Sequence, residues 1–375
     1  MTSIGGASTG MVDWNLAVAT ATRLVRPGPE VSRDEARAVV AELRRHAKAS
    51  EGHVRGFTRL GTEEGHDTPI LVVDRPGWIR ANVAGFREIL KPLLDKMQER
   101  RGNTPGGSVM GAVGGKVTGV ELGMLLSFLA SRVLGQYETF APATRELPSG
   151  ANGGGRLLLV APNIVHVERE LDVDPHDFRL WVCLHEETHR TQFTAVPWLR
   201  DHLEGEIQAF LQETDVDPMT VLERVREAAQ TLAGGRPEAE EDDGGRSLVE
   251  IVQTPAQREI LGRLTAVMSL LEGHADFVMD GVGPDVVPTV GEIREKFQQR
   301  RAKGASRLDL ALRKLLGLDA KLRQYRDGER FVRAVVDEVG MDGFNRVWTS
   351  PNTLPTKSEI AKPADWVARV HRRAE

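Results

Sequence analysis

The sequence contains a single cysteine, Cys183, in 375 residues. No internal disulfide is possible, and a structural zinc site would lack its usual thiolates. Phenols are nearly as scarce, with only Tyr137 and Tyr325 in the chain. Long apolar runs are missing as well. The best window, 119 to 137, is broken by Glu121 and Arg132, whereas a membrane span needs roughly 18 consecutive apolar residues. There is no basic excess: the formal net charge is -5, which gives no electrostatic reason to expect nucleic acid. Residues 1 to 20 carry no basic segment followed by an apolar core, and Asp13 interrupts the stretch, so a secretion signal is not expected and a cytoplasmic, reducing location is. What remains is an ordinary globular composition, 40% hydrophobic and 27% charged, in a chain long enough for one large core or two modest ones.

Apolar residues recur mostly at spacings of three and four, so most of the chain reads as helix. Expected helices include 78 to 99, 118 to 138, 175 to 195 and 254 to 280. Strands are few: Arg156 to Ile164 and Thr68 to Val73 are short apolar runs bounded by turn residues. The small residues Gly119, Gly123, Ser127 and Ser131 recur every fourth position and lay a groove along one helical face, where a neighbouring helix can approach. The glycines between Gly102 and Gly115 read as a loop, without the Gly-Lys-Ser/Thr ending of a phosphate cradle. GGRPEAEEDDGG, at 234 to 245, has nothing to bury and reads as a mobile acidic loop. The expected organisation is a helical N-terminal subdomain at 21–150, a catalytic core at 151–290 and a helical C-terminal subdomain at 291–373, in one integrated unit.

Chemistry concentrates in WVCLHEETHR, residues 181 to 190, which contains His-Glu-x-x-His at His185, Glu186 and His189. Asp174 caps a helix with Pro175 at its first position, and Phe178, Trp181 and Val182 give it an apolar face. Two histidines four apart share one face and reach one zinc, while Glu186, about 100° around the axis, serves as general base towards the bound water. A third ligand is needed. The longer pattern with a third histidine fails, because Gln192 and Ala195 stand at its positions. Downstream, LLEGHADFVMD at 270 to 280 places Glu272 and Asp276 four apart. Glu272 completes a two-histidine, one-carboxylate set, and Asp276 accepts a hydrogen bond from the outer nitrogen of His185. His166 and His202 are reserve ligands. Cys183 reads as a core residue.

On these residues the chain resembles the gluzincin metallopeptidases. It is more closely similar to an actinobacterial family of zincin-like hydrolases linked to deazaflavin coenzyme biosynthesis. The resemblance rests on VDRPGWIRAN at 73 to 82, HEETHRTQFTAVPWLRDHL at 185 to 203 and LLEGHADFVMD at 270 to 280. It implies a mainly α (α+β) fold, with a zincin-like catalytic core, a small sheet and extensive helical surroundings, and a Zn2+-dependent hydrolase. One departure is the long separation of Glu272 from His189, which is much shorter in thermolysin-like enzymes.

The expected reaction is hydrolysis of a peptide carbonyl by zinc-activated water, with Glu186 moving the proton. Tyr325 is the favoured oxyanion donor, with Arg190 and His274 as alternatives. The strand before the motif helix is expected to form the edge along which a peptide pairs, with Asn163 offering a side-chain bond. Two other readings stay open: a zinc amidohydrolase of a small non-peptide substrate, and a non-catalytic helical interaction protein that retains the metal site. No nucleic-acid or membrane partner is expected.

Overall fold

The computed structural model describes residues 12–61, 68–102, 107–140, 155–213, 254–303 and 318–371. Within 97–102, 107–117, 301–303 and 318–326 only the course of the backbone is described. The acidic segment 234–245 lies outside the described residues, as do 218–233 and 306–315, where the spacing of apolar residues also predicts helix.

The molecule is mainly helical, with one three-stranded sheet among the described residues. In chain order the main elements are α1 (Trp14–Leu24), α2 (Arg33–Thr58), β1 (Ile70–Val73), α3 (Arg75–Gly102), α4 (Gly107–Ala130), β2 (Gly135–Glu138) and β3 (Arg156–Val160). They continue with α5 (Ala161–Leu171), α6 (Pro175–Ala195), α7 (Pro197–Gln212), α8 (Pro255–Gly281), α9 (Val290–Lys303), α10 (Leu318–Phe344), α11 (Lys357–Ala361) and α12 (Pro363–His371). Among the described residues no helix is long and apolar enough to cross a membrane.

Two compact units divide the chain, one of residues 1–197 with 275–301, the other of 198–274 with 302–375. Helix α8 is continuous through the boundary.

In the first unit β3 is central, parallel to β1 and antiparallel to β2. Every residue of β3 is buried, as expected of a strand covered on both faces. Its alternation divides the core. Leu159, with Ile70 and Val72 of β1, joins a cluster formed with α2, α5, α6 and the end of α8. Leu158 and Val160, with Leu71 and Val73, face the opposite cluster, which contains Ala21, Trp78, Ile79 and Leu126 from α1, α3 and α4. The small-residue groove of α4 receives α1: a Cβ on Gly119 would stand 2.7 Å from Asp13 O, and one on Gly123 2.8 Å from Ala17 O. A larger side chain at either site would push the helices apart.

Three sequence expectations are corrected here. The strand beginning at Arg156 ends at Val160, and the next eleven residues form α5. Pro162 in the first turn favours this helix, since a missing N–H costs nothing there. The helix expected to reach 138 stops at Ala130, and Gly135–Glu138 pairs with β3 instead. The glycines from Gly107 onward are helical rather than looped.

The second unit is held by polar anchors as well as apolar packing. The Trp198 indole donates to Trp348 O at 3.0 Å, and the Trp366 indole to Thr353 O at 2.8 Å. Arg369 bridges the α11 carboxylate of Glu359 and the carbonyls of Asn352 and Leu354. His274 is fully buried and stacks on Phe344, with centroids 5.2 Å apart.

Candidate metal centre

Helix α6 carries the motif, and its start is fixed locally. Asp174 caps it, accepting from Asp177 N at 3.0 Å, and Pro175 occupies the first turn. Cys183 and Leu184 on its inner face are fully buried. Its spacing turns His185 and His189 towards a half-buried surface and Glu186 towards the sheet.

The two imidazoles converge. His185 Nε2 and His189 Nε2 are 3.2 Å apart, with the rings edge to face. Two nitrogens each bonded to a tetrahedral zinc at 2.0–2.1 Å would stand about 3.3 Å apart, so this spacing suits a shared ion. Glu272, on α8, completes the group: one ligand atom from each of His185, His189 and Glu272 lies within 4.8 Å of the others. The donor set, two imidazoles and a carboxylate, is one that zinc accepts while keeping a position for water.

The outer nitrogens are also engaged. His189 Nδ1 lies 3.0 Å from Gln192 Oε1. Gln192 is fully buried, and its carbonyl oxygen accepts from Nδ1–H, which leaves the Nε2 lone pair facing the cluster. His185 Nδ1 is 3.6 Å from Asp276 Oδ1 and 3.3 Å from Met279 Sδ. The Asp276 contact is an ion-pair distance, longer than the hydrogen bond expected from sequence. Gln192 entered the sequence reading only as a residue that ruled out one ligand pattern. Its position three residues after His189 was the available signal.

Glu186 is 6% exposed and lies against the first residue of β2. A Cβ on Gly135 would come within 2.6 Å of Glu186 Cδ and 2.7 Å of its Oε1. With glycine at that position the strand passes the Glu186 side chain without displacing it. Tyr137 follows on the same strand face and stacks on Phe193 of α6, with centroids 5.5 Å apart and planes inclined by 18°.

The two residues inside the motif are structural. Glu187 is fully buried and pairs with Arg190, Nε to Oε2 at 2.8 Å. Arg190 also reaches Glu51 of α2 at 3.1 Å and the Thr68 carbonyl at 3.3 Å. Burial pushes the Glu187 carboxyl up to about 7, against the opposing pull of Arg190. Thr188 donates to Leu184 O at 2.8 Å.

Other candidates fall elsewhere. Arg190 is 2% exposed and fully engaged in this network, which leaves it no part as an oxyanion donor. Asn163 lies in α5, accepting from Arg75 Nε at 2.6 Å and donating to the carbonyls of Ala130 and Val133; it secures the end of α4 rather than a substrate. His166 faces Glu170 of its own helix at 3.9 Å. Tyr325 lies in α10, among residues whose side chains are outside the described set. The strand before the motif helix is corrected too: β3 is central, so among the described residues the outer strands of this sheet are β1 and β2.

A His-Glu-x-x-His helix beside a small sheet, with a carboxylate on a later helix closing the donor set, defines the zincin class of metallopeptidase-like proteins. The chain belongs to the zincin-like metallopeptidase family, whose model matches residues 12–367. It is also similar to a crystal structure from Chloroflexus aurantiacus described as a candidate hydrolase with a novel fold. That similarity has 30% identity and a TM-score of 0.66, and covers 96% of this chain and 99% of the other. No curated protein gives a significant match.

Proposed function

We propose that this protein is a zinc-dependent peptidase in which His185, His189 and Glu272 hold the ion and Glu186 is the general base. The observation that carries the reading is the 3.2 Å convergence of the two Nε2 atoms with a Glu272 oxygen in reach. When bound, zinc supplies an acidified water and polarises the carbonyl under attack. Glu186 takes the proton from that water and delivers it to the leaving amine, and its seat against Gly135 fixes where the carboxylate stands. Gln192 and Asp276 hold the histidine rings in ligand-ready tautomers.

The substrate backbone pairs with the outer edge of β2. Among the described residues β2 has one strand partner, β3, and its inner face meets Glu186. Main-chain pairing of this kind gives affinity with little sequence preference. For the oxyanion, Tyr325 is the proposed donor. The three segments quoted from the sequence support the narrower placement with the deazaflavin-linked actinobacterial hydrolases.

Zinc titration against a chromophoric chelator tests the ligand set. His185→Ala, His189→Ala and Glu272→Gln should each lose the tightest zinc equivalent, and Glu186→Gln should keep it. Retention of that equivalent in all three ligand variants would refute the assignment.

A further inference from the structure

A second group of ligand-bearing side chains lies in the first unit, where α2 packs against the beginning of α6. Glu42 and His46 are one turn apart on α2, and His176 is the second residue of α6. Glu42 Oε1 is 3.1 Å from His176 Nδ1 and 3.5 Å from His46 Nε2. These separations bracket the roughly 3.3 Å between neighbouring ligand atoms of a tetrahedral zinc. The two imidazoles meet edge to face with centroids 4.6 Å apart, and the three ligand atoms lie within 4.8 Å of one another.

A second, independent observation points to a ligand. His46 is 7% exposed, and its Nε2 is buried without a hydrogen-bond partner. Leaving a buried ring nitrogen unsatisfied is costly, and here that nitrogen faces the Glu42 oxygen across a gap too long for a hydrogen bond. An ion among the three groups would satisfy it.

The surroundings suit a cation despite a nearby arginine. Arg179 holds the other oxygen of Glu42 and is itself paired with Glu168, so its charge is offset and Glu42 is fixed with Oε1 towards the histidines. Asp174 and Asp177 balance the positive end of α6. The His176 side chain is 62% exposed, which gives the ion a route from solvent and a place for a water ligand.

We propose that Glu42, His46 and His176 form a second divalent-metal site, zinc by its donor set, that clips the start of the motif helix α6 to α2. It is independent of the His185 and His189 centre and requires no catalytic activity.

The test is zinc bound after equilibrium dialysis of the full-length protein against zinc chloride. It is read for the wild type, His176→Ala and His46→Gln, and again with each placed in a His189→Ala background. Each substitution should remove one zinc equivalent in both backgrounds. Unchanged zinc in either background overturns the proposal. So does loss with His176→Ala but retention with His46→Gln, which marks an adventitious ion only on a surface histidine. If His46→Gln does not fold, the ring resonances of His46 in the wild type replace it: zinc should shift them, and no shift overturns the site.

Discussion

Gly135 and Glu186 form a fitted pair: the Glu186 side chain occupies the space that a Cβ at Gly135 would need, such a Cβ standing 2.6 Å from Cδ. The position of the proposed general base thus depends on a missing side chain on another element. Gly135→Ala should move the carboxylate without touching a ligand. Since a misplacement of about 1 Å can cost about 10²-fold in rate, turnover should fall by about that factor while zinc affinity is unchanged. Parallel kinetics and zinc titration would check this; full activity would mean that the strand does not hold Glu186.

Gln192 makes a comparable contribution to His189 through its Oε1, 3.0 Å from Nδ1. Partners of this kind typically contribute 10- to 100-fold to metal affinity. Gln192→Ala should weaken zinc binding by about that range, and Gln192→Glu, which keeps an acceptor, should restore most of it. Equal weakening by both would point to a packing role for this buried residue.

The motif helix also predicts the behaviour of the one thiol. Cys183 is fully buried, and burial, followed by the charges of Glu186 and Glu187, pushes its pKa well above the ordinary thiol range. As pH rises, the unfolded chain loses this proton first, so stability is fully present below about pH 8.5 and falls towards the raised native value. Urea denaturation at pH 8 and 10 should show a loss that is smaller in Cys183→Ala. The native thiol should also resist alkylating reagents at pH 8; rapid labelling would contradict its burial.

Much of the candidate site was legible because it is local. His185, Glu186 and His189 sit within one helical turn, and the Asp174 cap and Pro175 announce where that helix begins. The small-residue face of α4 was readable for the same reason, and α1 lies against Gly119 and Gly123. Sequence failed where tertiary pairing decides. Gly135–Glu138 directly follows an apolar helical pattern yet becomes a strand through its register with Arg156–Leu159. Arg156 to Ile164 looked like one strand because burial makes a central strand and the start of a buried helix equally apolar. No spacing rule links Gly135 to Glu186, fifty-one positions apart in sequence, because that contact exists only once the strand lies along the helix.

The most direct test of the central claim is hydrolysis of a mixed peptide library by zinc-loaded wild type and zinc-loaded Glu186→Gln. The account predicts cleavage by the wild type, a loss of about 10²- to 10⁴-fold in the variant, and the same zinc content in both. Equal cleavage by the two proteins, or no cleavage by the zinc-loaded wild type, would contradict it.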